Sequence, residues 1–163
     1  MMRISKLLCK SFALLSLLFI ACSNTDDIQQ KVTEIDASQL KVRDPFIFYD
    51  ADTDYYYLHV NGTLKVKSYK SKDLLTWQEN GYSFLPSAGF WGKEDFWAPD
   101  FYKYKDKYYL FITLSAPGVK RGTSVLVSDR VTGTFQPLVN APVTPQEWTC
   151  LDGSLYVDSE GIP

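Results

Sequence analysis

Two aspartates hold the same place in a repeated pattern, and that makes them the first candidates for chemistry. Residues 44–49, Asp-Pro-Phe-Ile-Phe-Tyr, align with 98–103, Ala-Pro-Asp-Phe-Tyr-Lys, and with 152–157, Asp-Gly-Ser-Leu-Tyr-Val. The starts are 54 residues apart both times, from 44 to 98 and from 98 to 152. Asp44 and Asp152 therefore share one repeat phase, with Ala98 filling it between them. Two carboxylates aimed into one cavity are costly unless they are solvated, paired or put to use. Taken singly, Asp44-Pro45 and Asp152-Gly153 are ordinary turn dipeptides, in which the carboxylate bonds its own backbone. The shared phase is what favours a functional pair.

Such a pair needs elements that point it. From about Lys41 onward the chain shows no amphipathic helix, only short runs of Tyr, Phe, Val, Leu and Ile broken by Gly, Asp, Asn and Pro. Strands are predicted over 45–49, 55–60, 64–70, 82–85, 99–104, 108–114, 123–128, 135–139 and 151–157, which makes the domain all-β. Each repeat continues with a polar turn, at 50–54, 105–107 and 158–161, and in the first two copies a second strand follows at 56–58 and 108–110, both Tyr-Tyr-Leu. A third correspondence sets Ser71-Lys-Asp-Leu-Leu-Thr-Trp77 beside Ser128-Asp-Arg-Val-Thr-Gly-Thr-Phe135. Recurrence at about 40 to 50 residues with four short strands per unit marks the blades of a β-propeller, whose first strands line a central channel. Propellers need about four blades or more. Residues 44–163 hold little more than two periods, so the expectation is blades 1 and 2 and the start of blade 3, cut within that blade at Gly161-Ile162-Pro163.

The N-terminus reads as an export signal. A basic head with Arg3, Lys6 and Lys10 precedes the apolar stretch 11–21, about half the length a spanning helix needs. Phe19-Ile-Ala-Cys22 resembles a bacterial lipobox, so residues 1–21 are expected to be cleaved and Cys22 lipidated, anchoring the protein at the outer membrane or cell surface of a bacterium. Residues 22–40, polar and without apolar periodicity, are expected to form a tether, and 41–163 the propeller fragment. Loss of residues 1–21 takes the net charge from −2 to −5 by removing three cations, which argues against a nucleic-acid partner. Cys9 leaves with the signal and Cys22 is acylated, so Cys150 has no partner for a bridge.

Val42-Arg43-Asp44-Pro45-Phe46, Phe96-Trp97-Ala98-Pro99-Asp100 and Leu151-Asp152-Gly153-Ser154-Leu155-Tyr156-Val157-Asp158 resemble, in that order and spacing, glycoside hydrolase family 43. The stretch 71–77 looks like the family's Ser-x-Asp-Leu-x-x-Trp element, and the resemblance runs from about Lys41 to the last residue. It implies a five-bladed propeller and an inverting mechanism on arabinose- or xylose-containing plant polysaccharides. Asp44 would be the general base. Asp152 would raise the pKa of the general acid and orient it. In inverting enzymes the acid and base stand roughly 6.5–9.5 Å apart to admit water. The family's acid is a glutamate on a later blade, expected beyond Pro163. Glu94, Glu147 and Glu160 do not sit in its motif, and this chain alone is expected to be inactive. Trp97 matches a tryptophan that lines the sugar pocket; Phe90, Trp91 and Phe96 are candidates to extend it, whereas Asp100 would only fix the strand entrance.

Two other readings compete: a non-catalytic sugar-binding propeller, and a fructan-cleaving relative, whose early Asn-Asp-Pro motif is not seen here. Nothing in the sequence calls for a cofactor, and a structural calcium at the axis of the complete propeller stays open. Residues 50–54 begin like a calcium loop, but the sixth and twelfth positions are Tyr55 and Asn61 rather than Gly and Glu. His59, the sole histidine, reads as a packing or hydrogen-bonding residue, and Asn61-Gly62-Thr63 as a turn.

Overall fold

One strand, β3 (Tyr55–Gly62), is buried on both faces and organises residues 33–163, which are the residues described by this computed structural model. Tyr57, Leu58, His59 and Val60 are each 3% exposed or less. Because side chains alternate along a strand, Tyr57 and His59 face a second sheet, while Leu58 and Val60 face the other way.

The chain forms two antiparallel sheets. In the first, β2 (Phe46–Asp50), β3, β4 (Lys65–Ser71) and β5 (Thr76–Phe84) run as a meander, with β1 (Glu34–Asp36) added beside β5. In the second, β6 (Glu94–Tyr104), β7 (Lys107–Ala116), β8 (Val119–Ser128) and β9 (Gln136–Pro137) repeat the meander. Strands β2 and β6 thus hold equivalent edges, as the repeat requires.

Between the sheets, Tyr57, Val66 and Phe84 join Phe101, Leu110, Ile112, Leu126 and Phe135 in one cluster. Trp77 and Phe135, the aromatics that end the third repeated stretch, are both buried. Ser71 Oγ accepts the Leu74 N–H at 2.9 Å and donates to the Thr76 carbonyl, while Asp73 Oδ1 accepts the N–H groups of Leu75 and Thr76. That turn drops Trp77 into its sheet. Its counterpart is simpler, with Ser128 Oγ accepting the Arg130 N–H at 3.2 Å.

The carboxylates that open like a calcium loop each have separate work. Asp50, 1% exposed, accepts the Tyr108 hydroxyl of the second sheet at 2.8 Å and both donors of Thr53. Asp52 pairs with Lys103 at 2.5 Å, and Asp54 with Lys72 at 2.9 Å. Two of the three therefore tie one sheet to the other.

Several boundaries differ from the expected ones. The tether expected over 22–40 gives way at Glu34, not Lys41, because β1 pairs with residues 76–78 of β5 and Ala37 donates to the Leu75 carbonyl. Leu40 and Val42 then cover Leu58, Val60 and Trp77. Polar composition hid this segment because the pairing uses backbone, which any sequence carries. The signal 1–21, Cys22 and the remaining tether to residue 32 lie outside the described residues. β5 and β6 begin at Thr76 and Glu94, earlier than 82 and 99, because turn-type residues sit in bulges inside the ladders: Gly81 (φ 75°) in β5, and Ala98-Pro99 between the Trp97 and Asp100 pairings in β6. A proline is tolerated there because no ladder bond is required of it. The strand predicted at 151–157 is not formed; among the described residues no strand lies beside it to pair with.

His59 stacks on Phe101, with ring centres 4.2 Å apart and planes 7° apart, and its Nδ1 meets Ser83 Oγ at 2.8 Å. Its Nε2 has no partner among the described residues, and burial pushes the imidazole pKa from 6.5 down to about 3. The unfolded chain takes up this proton below about pH 6.5, whereas the folded chain does so only near 3. Stability is therefore full above 6.5 and declines between those values by about 1.4 kcal/mol per pH unit from this residue. Urea unfolding of the wild type at neutral pH and near pH 4.5 is expected to show this loss, reduced in His59→Gln; equal pH dependence in both proteins would rule out a neutral, buried imidazole.

Candidate functional site

The three repeat positions share one backbone state. Asp44, Ala98 and Asp152 have φ of 49°, 43° and 52°, in the left-handed region that residues with a side chain seldom enter. Aspartate tolerates it, whereas alanine loses roughly 1–2 kcal/mol there. The chain thus turns at the entrance of each repeat, which sets where neighbouring side chains point.

Trp97 lies at the centre of the most distorted of these entrances. The β6–β7 ladder slips on both sides of it, leaving it opposite Thr113, and it is flanked by left-handed Asp95 (φ 58°) and Ala98. The guanidinium groups of Arg43 and Arg121 lie 5.6 and 4.4 Å from the centre of its ring. Arg121 is fixed from behind: its Nε and Nη2 donate to Asp95 Oδ2 at 3.0 and 2.8 Å, and Ser115 Oγ donates to the same oxygen at 2.6 Å. Burial would raise the Asp95 pKa, but these donors overcome it and hold the carboxyl below its ordinary value.

Each predicted aspartate is linked to this tryptophan through one intervening residue. Asp44 accepts Arg43 Nε at 3.1 Å, so the side chain reaching Trp97 is tied to the Asp44 carboxylate. Asp152 donates its backbone N–H to Thr113 Oγ1 at 2.9 Å, across the ladder from Trp97. Both aspartates are exposed, as groups that meet a ligand must be.

Asp100 does more than fix the strand entrance. It is half-buried, and its pKa is raised first by burial and further by the charge of Asp152, against the Tyr102 hydroxyl 3.1 Å away. The repeat could not flag it, since Phe46 and Ser154 hold its phase in the other copies. Arg43, Asp95 and Arg121 also escaped sequence reasoning; Arg121 comes from β8, and nothing in its local sequence links it to Trp97.

Of the expected aromatic extension only Phe96 borders the space beside Trp97. Phe90 and Phe96 are core residues packed on Phe84 at 5.0 and 6.4 Å, and Trp91 is held by its indole N–H on Ser124 Oγ at 2.7 Å. Trp97 adjoins an open hollow of about 410 Å³, walled by Asn61 and Gly62 at the end of β3, Thr63 and Leu64 of the β3–β4 turn, and residues 95–97 of β6. Exposed carboxylates, an indole and a polar hollow suit a neutral, polyhydroxylated ligand.

The profile of glycosyl hydrolases family 43 matches residues 37–163. This chain belongs to that family. Its structure is similar to that of an endo-arabinase from Bacteroides thetaiotaomicron VPI-5482, with 60% identity and a TM-score of 0.75 over 78% of this chain and 45% of that one. An endo-1,4-β-xylanase from the same organism aligns with 26% identity and a TM-score of 0.62 over 75% of this chain and 40% of the xylanase. In sequence, an extracellular exo-α-(1→5)-L-arabinofuranosidase of Cellvibrio japonicus (strain Ueda107) is 26% identical over 141 residues, covering 77% of this chain and 40% of that protein. The chain spans less than half the length of each. Its two sheets match part of the family's propeller, and each is one blade.

Ala98→Gly removes the left-handed penalty while keeping the turn. Thermal or urea unfolding is expected to show stabilisation of about 0.5–1 kcal/mol, and Ala98→Val the opposite sign; destabilisation by glycine would mean that the position carries no strain.

Proposed function

We propose that this chain supplies the first blades of an inverting glycosidase that hydrolyses arabinose-containing plant polysaccharides, arabinan foremost. The observation that carries this reading is the meeting of Asp44, through Arg43, and Asp152, through Thr113, at Trp97. In it Asp44 takes the proton of the attacking water and Trp97 forms a wall of the sugar pocket. Asp152 acts on the general acid, raising its pKa by like-charge repulsion and orienting it. The acid is a glutamate from a blade outside residues 44–163. Arabinose is favoured over xylose because the endo-arabinase is 60% identical and the xylanase 26%.

Export with a lipid on Cys22 belongs to the same reading. The lipobox-like residues 19–22 support it, as does the extracellular arabinofuranosidase relative. Acyl chains contribute about 0.8 kcal/mol per buried methylene, so several on one residue anchor stably. Fractionation of cells making Cys22→Ala is expected to move the protein from membrane to soluble fractions; an unchanged membrane fraction would exclude this anchor.

In the protein extended to the full length of its relatives, Asp44→Asn and Asp152→Asn are each expected to lower kcat on debranched arabinan by about two to four orders of magnitude, with oligosaccharide affinity largely kept. Weaker binding at unchanged kcat would remove both from these roles. Residues 23–163 alone are expected to leave the same substrate uncut, and turnover by them would place the acid within this chain.

A further inference from the structure

The hollow beside Trp97 has unused hydrogen-bonding groups as well as volume. At about 410 Å³ it falls within the roughly 300–1,000 Å³ range of small-ligand sites. Asp95 Oδ2 collects all three donors of the Ser115–Arg121 clamp, which leaves Oδ1 without a partner among the described residues. The Asn61 amide, at the end of β3, and the Thr63 hydroxyl, on the facing β3–β4 turn, likewise make no side-chain hydrogen bond among the described residues. An ionised acceptor, an amide that both donates and accepts, a hydroxyl and the Trp97 indole thus line one open space, together with Leu64 and Phe96. The two walls belong to different blades, yet each is fixed: residue 95 by its clamp, and the turn by the Asn61–Val66 and Gly62–Lys65 pairings.

We propose that this hollow is a further sugar subsite, which takes a neutral pentose unit of the glycan chain next to the unit held at Trp97. Ring hydroxyls donate to Asp95 Oδ1 and exchange hydrogen bonds with Asn61 and Thr63. The ionised Asp95 disfavours a uronic acid in the same place by like-charge repulsion. Arg121 is a positioning residue here: it keeps Asp95 ionised and turned so that one oxygen faces the hollow. The inference rests on the glycan-binding reading above, since it extends the chain bound at Trp97 outward between the two blades.

Calorimetric titration of the protein, extended to the full length of its relatives, with α-1,5-linked arabinobiose and arabinotetraose separates the two. The tetrasaccharide is expected to bind more tightly, and Asn61→Ala and Thr63→Val are each expected to shrink that gain by about three- to tenfold, the worth of one hydrogen bond. Thr63 lies in an exposed turn and Asn61 is half-buried at the end of β3, and an unchanged thermal midpoint shows that the fold is intact. A full gain in both variants, with binding still lost in Trp97→Ala, overturns the subsite alone. Failure of the wild type to bind either sugar overturns the glycan reading, and the subsite with it.

Discussion

Phe101 is the contact on which the geometry of this chain depends. Its ring meets Phe48 at 4.9 Å, His59 at 4.2 Å, Phe135 at 5.5 Å and Tyr108 at 5.9 Å, so one side chain of β6 touches the first sheet and its own. Aromatic pairs at such distances contribute about 0.5–1.5 kcal/mol each beyond the area they bury. Next to Phe101 in β6 is Asp100, and Trp97 lies one bulge earlier. The core contact that docks the sheets therefore also sets where β6 presents its polar groups to β2 and to residues 151–154. The Asp50–Tyr108 and Asp52–Lys103 bonds act at the other end of the same strands. Of these the first matters more, because a buried carboxylate left short of a donor is costly, whereas an exposed pair contributes little.

Backbone distortion marks the repeat entrances and the stretch around Trp97. Asp44, Asp95, Ala98 and Asp152 all carry positive φ, and the β6–β7 ladder breaks twice within this stretch. A regular strand would send Trp97 and its neighbours to alternating faces of the sheet; the bulges release them from that alternation. The release has to be countered by contacts elsewhere. Part of that comes from the Ser115–Asp95–Arg121 clamp, in which one carboxylate oxygen gathers three donors in a site only 18–30% exposed. The Arg43–Asp44 pair, at 71% and 46% exposure, is more open to water and contributes less than this clamp.

The all-β class, the equivalence of β2 and β6 and the shared repeat phase of Asp44 and Asp152 were legible in the sequence, because each rests on a local period of apolar residues and turn formers that repeats along the chain. Asp44, Ala98 and Asp152 confirm that phase in a way composition could not anticipate, by adopting one unusual backbone state with two different side chains. Less was legible where structure depends on partners far along the chain. β1 was hidden because it adds to a sheet edge through its backbone. Residues 151–157 have the composition of a strand but no ladder partner among the described residues, and a strand without a ladder is not one. Phe90 looked like a member of a binding surface until the packing against Phe84 placed it inside, and Phe96 lies mostly in that core while bordering the hollow.

By itself, then, the sequence determined the family, the blade period and the two aspartates, since these follow from residue types at fixed spacing. Only tertiary structure decided what surrounds them. Trp97 meets Arg121 from β8, Asp100 feels Asp152 across more than fifty residues of chain, and the hollow beside them lies between a turn of one blade and a bulge of the next. The reason is physical: electrostatic influence and hydrogen bonding depend on distance in space, which becomes defined only once Phe101 and its neighbours have locked the two sheets together.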